Sequence, residues 1–286
     1  MANKKLKSAV NVPLEKIRPF EGHPYKVIDN EEMNALIESI QEQGILSPLI
    51  VRPLENTEDE YELISGHRRL RAALKAGATK VPVFIYAVSR DEAAIMLVDS
   101  NLHREHILPS EKAKAYKLKM EALKHQGKTS CQLGTKLRTD EEIAEDATDS
   151  ARQIQRYIRL IYLIPELLDL VDEGRIALTP AVELSYLTEE QQYSLLGTVE
   201  VEDRTPSLSQ AVRFKKLSQA GQLTDELIDS IMQEEKANQR EMFRIPMERL
   251  RKAVPNLKPS QVEDFIISAI VFYQKHLDRK KDKGAR

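Results

Sequence analysis

Apolar residues along this 286-residue chain fall into two regimes. From Val10 to Tyr86, short apolar runs alternate with helically spaced ones; from Asp91 onward, helical spacing prevails. In the first regime Met33, Leu36, Ile37 and Ile40 form one stripe, Asp29 or Asn30 stands where a helix cap is needed, and Gly44 ends the run. The runs Leu49–Arg52, Tyr61–Ile64 and Val81–Tyr86 have the length and character of strands, and the polar stretch Glu55–Glu60 reads as the turn between the first two. These elements predict an α+β N-terminal domain, a small mixed sheet of three or four strands with helices.

The second regime predicts an all-α region. Ala93 to Val98 is helical, Pro109-Ser110-Glu111 opens a long helix reaching about Gln126, and Gly127–Arg138 has the composition of a loop. Helices then follow closely to about Leu196; Glu200–Ser207 reads as a break and Gln210–Met242 as a charged helical segment or linker. The expected division is residues 10–105, 106–198, a linker or helical segment at 199–243, and a small C-terminal helical segment at 244–286. In the last of these Phe265, Ile266, Ile270, Phe272 and Tyr273 recur at helical spacing, a packing face that would favour a homodimer.

Thr139 to Ile161 has the layout of a helix-turn-helix. Thr139 or Asp140 caps a helix over Glu141–Asp146, Ala147-Thr148-Asp149 makes the turn, and Ser150 caps the next helix. On that helix Ile154, Ile158 and Ile161 form an apolar stripe, while Arg152, Arg156 and Arg159 form a basic one beside Gln153 and Gln155. An apolar face that seats a helix and an Arg/Gln face that meets base edges and phosphates is what reading a major groove requires. The alternative is an ordinary surface helix with a solvated basic face. Thr148 occupies a turn position where glycine is common, so a positive φ is expected there. The acidic first helix should face away from DNA, whereas the basic stretch Lys112–Arg138 would supply backbone contacts.

Bulk composition narrows the classes. A charged fraction of 31% with a net charge of −2 carries no global polyanion signature, so any nucleic-acid binding must come from local clustering. Aromatics make up 5% and Trp is absent, which disfavours broad base-stacking platforms. The single cysteine, Cys131, permits no intramolecular disulfide and fits a reducing compartment. No signal-peptide pattern or membrane-length apolar run is evident, so a cytoplasmic protein is expected.

The densest chemistry lies at Ile64-Ser65-Gly66-His67-Arg68-Arg69-Leu70-Arg71, where a strand gives way to a helix. A helix N-terminus offers unpaired N–H groups and a positive dipole end, and a glycine with paired arginines there suits a phosphate. A solvated basic helix start is the alternative. A second segment, Ser100-Asn101-Leu102-His103-Arg104-Glu105, follows about thirty residues later and leads into Leu108-Pro109-Ser110-Glu111.

Together these boxes resemble the paired GERRxRA and ENxQR boxes of the ParB partition-protein family. Ser150 to Leu160, followed by Ile164-Pro165-Glu166-Leu167-Leu168, looks like that family's central domain, and the resemblance runs from Val10 to Leu187. It implies a CTP- and magnesium-binding N-terminal domain that switches a DNA clamp, a homodimer on double-stranded DNA, nucleoid association and a ParA-like ATPase partner. It further implies that Gly66, His67, Arg68, Arg69, Asn101 and Arg104 bind the nucleotide, with Asn101 at the metal. DNA contacts would fall to Ser150, Arg152, Gln153, Gln155, Arg156 and Arg159. The chain departs from the family pattern at His67 in place of glutamate, Ser100 in place of an acid, and Ser47 in place of a common glutamine. Weak CTP hydrolysis or none is the expectation, because a lost carboxylate weakens a magnesium site.

Other readings carry less. Ala122 to Thr129 is one residue from a P-loop pattern but continues a lysine-rich helix. His103 and His106 have helical spacing without the further ligands of a zinc site, and Cys131 lacks a neighbouring His and Asp. A transcription regulator on the same scaffold, or a nuclease or phosphotransferase, remain the alternatives; no carboxylate cluster suited to two-metal chemistry stands near the two boxes.

Overall fold

The computed structural model describes residues 8–55, 57, 59–102, 104, 106–126, 139–147, 149–234 and 262–284. The expected loop at Gly127–Arg138, with Cys131, and the expected strain at Thr148 lie outside the described residues, as does His103.

The sheet has five strands: β1 (Val10–Pro13), β2 (Ile17–Arg18), β3 (Leu49–Pro53), β4 (Tyr61–Ser65) and β5 (Lys80–Ile85), in the order β1-β5-β3-β4-β2. β1/β5 and β3/β4 pair antiparallel, while β3/β5 and β2/β4 pair parallel, so the sheet is mixed as expected. The two strands beyond the three expected runs, β1 and β2, are the edges. They are too short to show a period, and Pro13 sits where an edge tolerates a missing N–H. Leu49, Val51, Leu63, Val81 and Val83 are completely buried beneath helix α2 (His67–Lys75), which contributes Leu70 and Ala73. Helix α1 (Glu31–Gln43) is capped by Asn30, whose Oδ1 accepts from Met33 N at 3.1 Å, and lays Met33 and Ile40 against Ala72 of α2.

Helices α3 (Arg90–Leu102) and α4 (Pro109–His125) pack on each other, and α5 (Thr139–Asp146) and α6 (Ala151–Arg159) pack on α4. Leu97, Val98, Ala115, Tyr116, Ile143 and Ile154 belong to one apolar cluster that also takes Phe20 and Tyr25 from the β2–α1 loop. Packing therefore runs unbroken across the division expected at residues 105/106.

A second cluster joins α7 (Pro165–Asp172), α8 (Leu178–Leu184), α9 (Glu189–Glu202), α10 (Leu208–Gln219) and α11 (Asp225–Gln233). Of the two readings of residues 199–243, the helical one describes the chain to Glu234: Val199, Ala211, Phe214, Ile228 and Met232 are buried in that cluster. The break expected at Glu200–Ser207 shrinks, since α9 continues to Glu202. The chain then turns at Asp203, and Ser207 and Gln210 cap α10 reciprocally. Charged residues there mark solvent faces of packed helices.

Residues to Glu234 form one compact unit and those from Glu235 another. In the second, α12 (Val262–Gly284) leaves Phe265, Ile267, Ile270, Val271, Phe272 and Tyr273 exposed within the single chain. Among the described residues, no helix is long and apolar enough to cross a membrane.

Candidate functional site

The strand-to-helix junction depends on Gly66. Its φ of 106° lies in the left-handed region, and a Cβ there would stand 3.1 Å from Leu49 Cγ and 3.2 Å from Arg69 Nη2. Both backbone conformation and space require glycine. Helix α2 then starts at His67, and Gly66, His67, Arg68 and Arg69 line a cavity of about 390 Å³.

The two following arginines diverge. Arg68 Nη2 donates to Glu32 Oε2 of α1 at 2.9 Å. Arg69 Nη1 donates to the Ser47 carbonyl and, at 3.0 Å, to that of Pro48. The Arg69 guanidinium thereby ties the α1–β3 loop to the start of α2 while lining the cavity. Ser47, noted in the sequence as a departure, meets Arg69 through its backbone, an interaction that any residue at this position offers.

The second box enters from the end of α3. Asn101 is buried; its Nδ2 donates to the Leu97 carbonyl at 2.7 Å and to Ser100 Oγ at 3.2 Å. Ser100 Oγ in turn donates to the Leu97 carbonyl at 3.0 Å. The Arg104 guanidinium lies over the Tyr25 ring, 5.8 Å from its centroid. Gly66, His67, Arg68, Arg69, Asn101 and Arg104 all line the one cavity.

Sequence reasoning missed the opposite wall, which is the β2–α1 loop with His23, Tyr25 and Lys26. Glu111 of α4 holds this loop: its Oε1 accepts from Lys26 N at 2.8 Å, and its Oε2 from Leu108 N at 3.3 Å. Pro109-Ser110-Glu111 was visible as a helix opening, but a partner 85 residues away leaves no local signal. The Lys26 ammonium faces Asp169 at 3.4 Å and Asp172 at 3.6 Å on α7.

The His23 and His67 rings lie 3.6 Å apart between centroids, tilted by 35°. Burial pushes the His67 imidazole down to about 3, with His23 and Arg104 adding to the effect; burial likewise lowers His23. Both rings are neutral at pH 7. His67 Nε2 is buried without a hydrogen-bond partner.

The helix-turn-helix is held from below. Asp149, in the turn, accepts from Lys112 Nζ at 2.7 Å and Tyr116 Oη at 2.6 Å, both on α4. Ser150 Oγ caps α6 by accepting from Gln153 N at 3.3 Å, and Ile143 and Ile154 are completely buried. The expected basic stripe divides. Arg152 is exposed; Arg156 donates to Thr179 Oγ1 at 2.5 Å and Gln153 Oε1 at 3.2 Å. Arg159 donates to Ser185 Oγ at 3.1 Å and the Ser185 carbonyl at 2.9 Å, with the Tyr162 and Tyr186 rings 4.4 and 4.0 Å away. Gln155 Nε2 reaches back to Asp140 at 3.1 Å.

Backbone-contact lysines expected on α4 divide in the same way. Lys119 is buried against Asp99 at 2.7 Å and Lys112 is held by Asp149, which leaves Lys114, Lys117 and Lys124 exposed. Ala122 of the P-loop-like stretch is buried in helix α4, not in a phosphate loop. Among the described residues, no group of three or more His, Cys, Asp or Glu is placed to hold a metal.

Comparison with known proteins adds lineage to this geometry. Residues 1–102 match the ParB N-terminal domain family. The chromosome-partitioning protein Spo0J of Thermus thermophilus is 35% identical over 207 residues, 72% of this chain and 70% of that protein. A nucleoid occlusion protein of Listeria innocua is 32% identical over 194 residues, 67% of this chain and 62% of that protein. Among solved structures, C-terminally truncated chromosome-partitioning protein ParB from Caulobacter crescentus, complexed to the centromeric parS site, covers 78% of this chain and 98% of its own. Its sequence identity is 22% and the TM-score 0.43.

Proposed function

This chain belongs to the ParB family of chromosome-partitioning proteins, and from that premise we propose that it is a DNA-binding partition protein with a nucleotide-controlled N-terminal domain. The observation that carries the reading is the convergence of the two sequence boxes on one cationic cavity, in a unit that shares its apolar core with a capped helix-turn-helix. The start of α2, with Arg68, Lys26 and Arg104 around it, suits a nucleoside triphosphate, and CTP is the ligand the resemblance implies. Helix α6 enters the major groove of duplex DNA, with Arg152 and Gln153 at base edges. A homodimer formed through the apolar face of α12 spans two half-sites, and a ParA-type ATPase is the segregation partner.

Magnesium, which the resemblance places at Asn101, meets a poor donor set. Asn101 and Ser100 offer neutral oxygens, and the carboxylate of Glu32 is already paired with Arg68. Calorimetry of the full chain with each of the four ribonucleoside triphosphates, with and without duplex DNA, tests the nucleotide assignment; no heat with any of them removes it.

The Listeria nucleoid occlusion proteins favour a second reading, in which the same scaffold serves nucleoid occlusion. A genome-wide occupancy map separates the two. One broad domain around a single locus supports partition, and scattered sharp sites support the second role.

A further inference from the structure

We propose that this cavity binds its nucleotide without a divalent cation, the protein's own cations taking the place that a metal ion holds in most triphosphate sites. The inference rests on the nucleotide reading given above and follows from the charge and donor chemistry of the cavity wall.

Magnesium is a hard cation that usually enters triphosphate sites on one or two carboxylates together with phosphate oxygens. Each described carboxylate around this cavity is committed elsewhere. Glu32 is paired with Arg68 at 2.9 Å. Asp99, one residue from the second box, turns to the buried ammonium of Lys119 at 2.7 Å. Glu111 has both oxygens engaged by backbone N–H groups, those of Lys26 and Leu108. Releasing Asp99 or Glu111 costs a structural contact: the buried Lys119 ammonium would lose its ion pair with Asp99, and the β2–α1 loop would lose its anchor.

Positive charge, by contrast, is in surplus. Lys26, Arg68, Arg69 and Arg104 line the wall against one carboxylate among the described lining residues, Glu32. Lys26 is also held by Asp169 and Asp172 and Arg68 by Glu32, so Arg69 and Arg104 carry the uncompensated charge. These two guanidinium groups, the N-terminus of α2 and the neighbouring Lys26 and Arg68 supply the compensation a triphosphate needs. A divalent cation would enter a wall that is already cationic, where the neutral oxygens are those of Asn101, Ser65 and Tyr25 and the lining carboxylate, Glu32, is paired with Arg68. His67 fits this arrangement. Where the family box carries glutamate, an uncharged imidazole stacks on His23 with its buried Nε2 unpartnered, so it offers a hydrogen bond without adding negative charge beside the phosphates.

The test is calorimetric titration of the full chain with CTP, GTP, ATP and UTP, each in excess magnesium and in excess EDTA. The expected result is a dissociation constant for the bound nucleotide that agrees within about threefold between the two buffers. A loss of roughly tenfold or more in EDTA overturns the inference while leaving the nucleotide reading intact. Heat absent with all four nucleotides in both buffers removes the nucleotide reading, and this inference with it. A His67→Glu, Ser100→Glu double variant, checked for native circular dichroism, should bind more tightly in magnesium than in EDTA. If the folded variant binds equally in both, missing carboxylates are not the cause and the inference falls.

Discussion

Gly66, His67 and Arg159 carry the sharpest consequences of single side chains. Gly66→Ala forces a left-handed backbone on a residue with a Cβ and presses that atom against Leu49. It should cost about 1–3 kcal/mol in urea unfolding and abolish nucleotide binding. His67 is neutral when folded, its pKa pushed to about 3, and in the unfolded chain it titrates near about 6.5. Between those values the unfolded state binds a proton that the folded state refuses. Stability should therefore fall as pH drops through that window, by at most ~1.4 kcal/mol per pH unit for this group, and should not depend on it above about pH 7. His67→Gln should flatten the profile, read as urea midpoints across pH. Arg159, expected among the DNA contacts, is hydrogen-bonded to Ser185 and faces two tyrosine rings. Arg159→Ala should lower unfolding stability by about 1–3 kcal/mol. Lysine should restore it only in part, because it lacks the planar fork.

At the scale of elements, α6 and α4 show how one helix is prepared by another. Helix α6 is seated by Ile154 and capped by Ser150, and its first turn carries the exposed Arg152 and the half-buried Gln153. Arg152→Ala or Gln153→Ala should cost roughly 1–3 kcal/mol on a specific duplex and little on a scrambled one, measured by fluorescence anisotropy. Equal losses on both duplexes would reassign the residue to the phosphate backbone. Helix α4 is capped in trans: Asp172 of α7 accepts from Ser110 N at 2.9 Å and Ser110 Oγ at 2.5 Å. The same carboxylate faces Lys26 of the cavity wall. Asp172→Ala should destabilise the fold by about 1–2 kcal/mol, as the loss of a helix cap does.

The whole molecule divides after Glu234 into two compact units. The first buries its own clusters down to Met232, so a chain ending at Glu234 should fold. The second carries an apolar face on α12 that has six exposed large side chains. Light scattering should find the intact chain dimeric and the truncated chain monomeric in the absence of nucleotide and DNA. A truncated chain that remains dimeric would place the interface in the first unit.

What the sequence determined by itself is the part written in short-range chemistry. Asn30 and Ser150 act as caps, Gly44 and Gly66 punctuate, and the apolar stripe of α1 and the seat of α6 follow from periodicity. Each needs only residues within a turn or two. The two boxes were legible for the same reason, as local patterns, although their meeting in one cavity was implied by the family resemblance and not by any spacing. Tertiary structure decided the rest. It chose the sheet edges, where two to four residues carry no period, and for residues 199–234 it decided between a linker and helices, making them core helices. It also drew Arg69, Arg156 and Arg159 onto carbonyls and hydroxyls more than twenty residues away, and set Glu111 on Lys26 across 85 residues. A long cation reaches whichever acceptor the packed backbone brings near, and that choice is made only when distant segments close on a shared core.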